Sequence, residues 1–227
     1  ERLAAIASVL DRIVEPYHVS LDGNEQYEDM AGVADLWRRM KTEPRPGRLV
    51  SSIAFIEQPV KRTAAPERPI EGIEKPVIID ESDDSLEAFP RARTLGYKGV
   101  SSKTCKGLYK SLINRARCAA WGGEYFMTGE DLTIQPGLAL QQDLALISQL
   151  GLTHVERNDH HYVNGMADLP RAEQQAFLTA HPDLYEQSHG AVRVRIASGM
   201  LSLDSLDCPG YASRALPDWN SMREMPR

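Results

Sequence analysis

The sequence predicts a parallel α/β fold, and three observations lead to that class. Short apolar runs alternate with longer segments whose apolar residues recur at helical spacing. The short runs are mostly continuous in apolar character, which is typical of strands buried on both faces of a sheet. The chain of 227 residues, with 42% hydrophobic and 26% charged residues, also has the composition of a globular protein that builds a sizeable core.

Six short runs are predicted strands. In chain order they are Tyr17–Leu21, Ile53–Ile56, Val77–Ile79, Gly99–Ser102, Tyr125–Thr128 and Thr153–Val155. Strands that alternate with helices in this way indicate parallel βα units, and in a parallel barrel the carboxyl ends of all strands open on one face.

Four longer segments are predicted helices, namely Arg2–Val14, Met30–Met40, Leu108–Ala120 and Pro136–Leu150. The last is the best defined, because a proline begins it, an apolar face continues it and Gly151 follows it. The first is expected to end near Pro16, since the residue before a proline is driven out of the helical region. Prolines and glycines predict loops over Glu43–Arg48 and Pro66–Pro76.

The strand and helix repeat stops after about Pro170, where the pattern changes. We therefore predict a barrel domain over residues 1–170 and a C-terminal segment over residues 171–227 that packs back on the barrel or on a capping region. Within this segment Val192–Ile196 and Met200–Leu203 are β-like. The sequence begins with Glu1 and not with Met, so we expect it to start partway into a longer protein.

Charge and hydropathy exclude two classes of partner. The net charge is −6 and lysines and arginines form no cluster, whereas a nucleic-acid surface needs a basic stripe. The apolar stretch Leu138–Leu150 is interrupted by polar residues and falls well short of the roughly 20 apolar residues of a membrane span. The three cysteines are an odd number without close paired spacing, which favours a reducing, cytoplasmic setting over a disulfide framework or a zinc site.

A polar residue closes nearly every predicted strand, and these are Asp22, Glu57, Asp80, Lys103 and Glu156. Each carboxylate taken alone could equally be a solvated loop residue or a helix cap. Three of them on successive strands converge on one point of a barrel, where their repulsion is relieved by a cation. Ligands that are all oxygen favour Mg²⁺, with Mn²⁺ also possible, over zinc.

Lys103 follows the next strand and could face a ligand held by that metal. In a partly desolvated pocket beside a divalent cation the ammonium form is disfavoured, which makes a lysine a usable proton acceptor. The competing interpretation is a surface lysine such as Lys98 or Lys106.

Four segments together resemble the enolase superfamily, in its mandelate racemase and muconate lactonizing enzyme branch. They are Ser20-Leu21-Asp22-Gly23-Asn24, Phe55-Ile56-Glu57-Gln58-Pro59, Ile78-Ile79-Asp80-Glu81-Ser82 and Val100-Ser101-Ser102-Lys103-Thr104-Cys105-Lys106-Gly107. The resemblance covers roughly residues 1–165 and implies a modified TIM barrel. It further implies one Mg²⁺ that receives a substrate carboxylate and stabilises the enediolate formed when a base removes the α-proton.

Carried over by position, the resemblance implies that Asp22, Glu57 and Asp80 are the metal ligands and that Lys103 is the catalytic base or acid. Asn24 and Glu156 match substrate-side polar residues of the family. A homo-oligomer is also expected from the family.

The sequence departs from the family pattern in two ways. The first two barrel strands, with a Lys-x-Lys pair, and an N-terminal capping domain are absent from the chain, so racemisation by two bases is in doubt. The Tyr125 strand ends in Thr128-Gly129-Glu130-Asp131 without a histidine, which favours the muconate lactonizing type. Glu130 and Asp131 could contact the substrate or cap the helix that follows, and the capping role is slightly favoured.

The leading hypothesis is thus a Mg²⁺-dependent isomerase or lyase that removes the proton α to the carboxylate of a small molecule. Epimerisation, elimination of water and cycloisomerisation all remain open. One alternative is a truncated or degenerate barrel without catalysis. Another is a lyase that forms a Schiff base through Lys103, although three carboxylates ahead of an imine-forming lysine argue against it.

Overall fold

The structure is a computed structural model that describes residues 1–45, 47–131, 136–158, 162–222 and 224. Its helices are α1 (Arg2–Leu10), α2 (Met30–Thr42), α3 (Gly47–Ser52), α4 (Ala88–Thr94), α5 (Leu108–Trp121), α6 (Leu138–Gln149) and α7 (Arg171–Ala180). Its strands are β1 (Val19–Asp22), β2 (Ile53–Glu57), β3 (Val77–Ile79), β4 (Gly99–Ser102), β5 (Phe126–Asp131), β6 (Val155–Arg157), β7 (Tyr185–Ser188) and β8 (Ala191–Val194). Short 3-10 turns lie at Ala65–Glu67, Thr104–Lys106, Asp204–Leu206 and Trp219–Ser221.

Six strands form one sheet in the order β1-β2-β3-β4-β5-β6, which is also their order along the chain. The pairs β1–β2, β2–β3, β3–β4 and β5–β6 are parallel. A sheet of successive parallel strands joined through helices is an α/β fold of the partial TIM-barrel type. The predicted fold class is confirmed, and β3 and β4 have the predicted bounds.

Helix α2 shows how local sequence positions an element beside this sheet. The Asp29 carboxylate accepts a hydrogen bond from the Gly32 backbone N–H at 3.0 Å and caps the helix. Its buried face contains Met30, Val33, Trp37 and Met40, which recur at helical spacing. The Trp37 indole N–H donates to Glu74.

The chain divides into two compact units, each with its own core. Unit 1 comprises Glu1–Ser101 and Leu112–Met127, and unit 2 comprises Ser102–Ser111 and Thr128–Arg227. In unit 1 the ring of Phe89 packs on the ring of Trp121, with centroids 5.1 Å apart. The core of unit 2 is a cluster of buried residues that includes Leu140, Leu144, Met166, Phe177, Leu184 and Tyr185. The division of domains expected at residue 170 stays a prediction.

Several elements differ from the expectation. Helix α3 begins within the expected loop Glu43–Arg48, and helices α4 and α7 were not anticipated. The run Met200–Leu203 is not a strand, because only an isolated bridge joins Met200 to Ala197. Strand β8 exists in the C-terminal segment but pairs with β7 as an antiparallel hairpin.

Two negative expectations can be compared with the described part of the chain. Every helix in it is too short or too polar to pass through a lipid bilayer. The three cysteines are free thiols, and burial raises the pKa of Cys118 to about 11.

Candidate functional site

The three predicted metal ligands lie at the carboxyl ends of adjacent strands in unit 1. Asp22 and Glu57 are the last residues of β1 and β2, and they are direct partners in the parallel register. Glu57 also pairs with Ile78 of β3, and Asp80 follows that strand. The register thus places Asp22 opposite Glu57, and Asp80 directly after the end of the neighbouring strand.

Glu57 and Asp80 are buried, with 4% and 3% of their surfaces exposed, and each offers a carboxylate oxygen within 4.8 Å of the other. Two ionised carboxylates at this separation repel each other strongly in a desolvated setting. A divalent cation relieves that repulsion, and ligands that are all oxygen suit Mg²⁺ or Mn²⁺. The donor set of this pair therefore fits the metal inferred from the sequence.

Asp22 is arranged differently from this pair. Its side chain is exposed, and its carboxylate accepts hydrogen bonds from the backbone N–H and the side-chain amide of Asn24, at 2.8 and 3.3 Å. Its oxygens do not lie within 4.8 Å of both Glu57 and Asp80, as far as the described residues show. Asn24, expected on the substrate side, instead holds the turn after β1 with a φ of 42°.

Close backbone contacts fix the turns that carry these carboxylates. The Gly23 N–H donates to the Glu57 carbonyl at 2.8 Å. A Cβ at position 23 would lie 2.4 Å from the Cα of Pro59, so glycine is required there for space. The sequence Asp22-Gly23 thereby passes directly over Glu57-Gln58-Pro59.

Lys103, the predicted base, is buried in unit 2 and forms an ion pair with Glu130 at the end of β5. The side chains are 9% and 10% exposed. The Asn158 amide also donates to Glu130, at 2.8 Å. Sequence reasoning expected a metal beside Lys103 and missed this partner.

A second buried charge pair lies next to the first. Asp131 has no exposed surface and accepts a hydrogen bond from Arg157 of β6. Glu156, the other residue expected to contact substrate, is half-buried on β6 and is the register partner of Glu130. Unit 2 thus places acidic and basic groups at the ends of neighbouring strands.

The fold and these positions define a class: a partial (β/α) barrel with acidic residues at the carboxyl ends of its strands. No family model and no curated protein matches the sequence. Among solved structures the chain is similar to a mandelate racemase/muconate lactonizing protein from Herpetosiphon aurantiacus, with 17% identity and a TM-score of 0.56 over 86% of this chain. It is also similar to a muconate lactonizing enzyme from Pseudomonas putida, with 19% identity and a TM-score of 0.52 over 68% of this chain.

The chain spans about half the length of these structures, 49% and 42% respectively. Identities at this level show a shared fold. Both structures belong to the group of proteins that the four sequence segments resemble, so the expected fold is confirmed independently of those segments.

Proposed function

We propose that the chain carries the metal site and the base of a Mg²⁺-dependent enzyme that removes the proton α to a substrate carboxylate. The observation that carries the proposal is the buried pair Glu57 and Asp80 at the ends of adjacent parallel strands. Two carboxylates held this close in a desolvated position repel each other, and a divalent cation between them would relieve that repulsion.

Glu57, Asp80 and Asp22 would hold the ion, with Mn²⁺ as an alternative to Mg²⁺. Asp22 faces Glu57 in the register and would join the ligands by turning its exposed side chain away from Asn24. When bound, the ion supplies Lewis-acid stabilisation of the charge that develops on a carboxylate substrate.

Lys103 Nζ would take up or return the α-proton. Its ion pair with Glu130 holds the amine in one orientation, and Asn158 in turn orients Glu130. Asn24 and Glu156 would contact the substrate from the turn after β1 and from β6. Proton transfer by a positioned group of this kind contributes about 10²–10⁴-fold to a rate.

The substrate class is a small-molecule carboxylate, and the reaction is a racemisation or epimerisation, a dehydration or a cycloisomerisation. The family resemblance supports this range and a homo-oligomer, and the cysteine pattern supports a cytoplasmic setting. A Schiff-base lyase is less well supported, because three strand-ending carboxylates precede Lys103 and an imine-forming lysine does not need a metal cluster.

Calorimetric titration with Mg²⁺ tests the proposal, using the wild-type chain and the Asp80→Asn variant. We expect the wild-type chain to bind and the variant to lose at least about tenfold in affinity, because a ligand oxygen loses its charge. Asp84→Asn is the matched control, since Asp84 lies in the same loop but is exposed. Exchange of substrate α-protons in D₂O, with and without Lys103→Ala, then tests the base.

A wild-type chain that binds neither Mg²⁺ nor Mn²⁺ would contradict the proposal and favour the degenerate, non-catalytic barrel. Equal loss of affinity in Asp84→Asn would show a nonspecific charge effect and contradict the assigned site.

A further inference from the structure

We propose that Gln58 is a positioning residue that holds the turns after β1, β2 and β3 in one arrangement and thereby sets the spacing of Glu57 and Asp80. This inference rests on the proposed function, because its purpose is to preorganise the metal ligands. Gln58 is a neutral residue that directly follows the predicted ligand Glu57.

The side-chain amide of Gln58 has no exposed surface and uses its full hydrogen-bonding capacity. Its Oε1 accepts from the backbone N–H groups of Asp80 and Ser82, at 2.8 and 3.1 Å. Its Nε2 donates to the Val60 carbonyl and to the Ser82 hydroxyl, both at 2.8 Å. The amide therefore joins the turn after β2 to the turn after β3.

The backbone of Gln58 extends the same connection to further strands. Its N–H donates to the Ile78 carbonyl of β3 at 3.0 Å, and its carbonyl accepts from the Glu25 N–H, after β1, at 2.9 Å. Gln58 adopts a φ of 29°, in the left-handed region that non-glycine residues rarely occupy. Strained backbone of this kind persists where surrounding contacts determine it, and such positions cluster at functional sites.

The chemistry of the amide suits this position. Gln58 binds the main-chain N–H of Asp80 and not its carboxylate, so it fixes the ligand's backbone without neutralising its charge. An arginine or lysine there would compete with a metal ion for the carboxylate, and a further carboxylate would add repulsion. The neutral amide offers two N–H donors and two acceptor sites, so it can join the turns without competing with a cation or adding repulsion.

A purely structural role makes a different prediction from a positioning role. If Gln58 only stabilised the fold, a Gln58 variant and an unrelated variant of equal stability would show the same loss of metal affinity. If it positions the ligands, metal affinity falls further than stability explains. Outer residues that orient metal ligands typically change affinity by about 10–100-fold when replaced.

The test compares Gln58→Met, which keeps the side-chain volume and removes all four amide hydrogen bonds, with Ser82→Ala, which removes the hydroxyl contact. Leu49→Val is the stability-matched control. Leu49 is buried on α3 in the same unit and is not a hydrogen-bond partner of the Gln58 amide. Mg²⁺ affinity is measured by calorimetry and the unfolding midpoint by circular dichroism. Amide hydrogen exchange at Asp80 and Ser82 is followed without metal.

We expect Gln58→Met to lower Mg²⁺ affinity at least about tenfold and to accelerate exchange at both amides, with a smaller loss in Ser82→Ala and none beyond about twofold in Leu49→Val. Wild-type affinity in Gln58→Met, or a loss equal to that of Leu49→Val, would overturn the inference while leaving the proposed function intact. Unchanged amide exchange would overturn it as well. If the wild-type chain binds no metal, the proposed function is overturned. If amide exchange at Asp80 and Ser82 still accelerates in Gln58→Met, Gln58 remains the residue that joins the two turns.

Discussion

The two units hold their buried polar groups by different means. In unit 1 the turns that carry Glu57 and Asp80 are braced by the neutral amide of Gln58, which bonds to backbone atoms. In unit 2 Lys103 is bound directly to the carboxylate of Glu130. Gln58 fixes the backbone of Asp80 and does not itself neutralise the carboxylate, whereas Lys103 compensates the charge of Glu130 directly.

The largest effect is expected from Lys103→Met in unit 2. Removing one partner of a buried ion pair leaves the other charge poorly compensated, so the free energy of unfolding should fall by about 3–5 kcal/mol. Urea denaturation measures it, and Lys41→Met is the control, because Lys41 pairs with Glu74 on the exposed surface of unit 1. The double variant with Glu130→Gln should recover part of the loss. Equal effects of Lys103→Met and Lys41→Met would remove the contrast between the units.

A smaller loss is expected from Gly23→Ala in unit 1. The new Cβ would lie 2.4 Å from the backbone Cα of Pro59, which cannot move as a flexible side chain can. Overpacking of this kind costs about 1–3 kcal/mol. Gly123→Ala is the control, because a Cβ there meets no atom within 4 Å. A thermal unfolding midpoint as high as that of the control would show that the turn after β1 is free to move.

The third effect depends on pH and concerns His181 of unit 2. Burial lowers the pKa of His181 below its usual 6.5, and among nearby charges Asp183 opposes this shift while Arg214 adds to it. Its Nε2 accepts from the Arg214 backbone N–H at 3.0 Å, and its Nδ1 faces the Ser205 hydroxyl at 3.0 Å. The folded state therefore favours the neutral ring, and protonation would set two donors against each other at Nε2.

The stability from this arrangement is present in full above pH 6.5, the ordinary value, and is lost as the pH falls from there toward the lowered folded value. Denaturation midpoints measured between pH 7.5 and 5 should decline in the wild-type chain and change less in His181→Gln. His189→Gln, at an exposed histidine of the same unit, should follow the wild-type chain. If the midpoint of His181→Gln declines as much as that of the wild-type chain, the pH dependence arises from other titratable groups.

The barrel strands and the residues at which they end could be predicted because they depend on local pattern. A continuous apolar run located Val77–Ile79 without error, since a strand buried on both faces leaves such a signal, and the bounds Gly99–Ser102 were also correct. Strand order then placed Asp22 opposite Glu57. Helix α7 was missed because its apolar residues serve the core of unit 2 and lie outside the alternating pattern.

Side-chain partners could not be predicted in the same way. The ion pair between Lys103 and Glu130 joins residues near the ends of two different strands, and no local spacing encodes it. The exposed side chain of Asp22, bonded to Asn24, reflects competition between a local turn and the predicted ligand role. Gln58 was overlooked because a neutral residue beside two carboxylates carries no chemical signature until its hydrogen bonds are known.

The three tryptophans of the chain give each unit its own optical signal. Trp37 is buried in unit 1 with its indole N–H bonded to Glu74, and Trp121 packs on Phe89 in the same unit. Trp219 in unit 2 is 60% exposed. Iodide will therefore quench Trp219 far more than Trp37, and the shielded indole will emit at shorter wavelength. The part of the emission that iodide quenches thus reports mainly on unit 2, with no added dye.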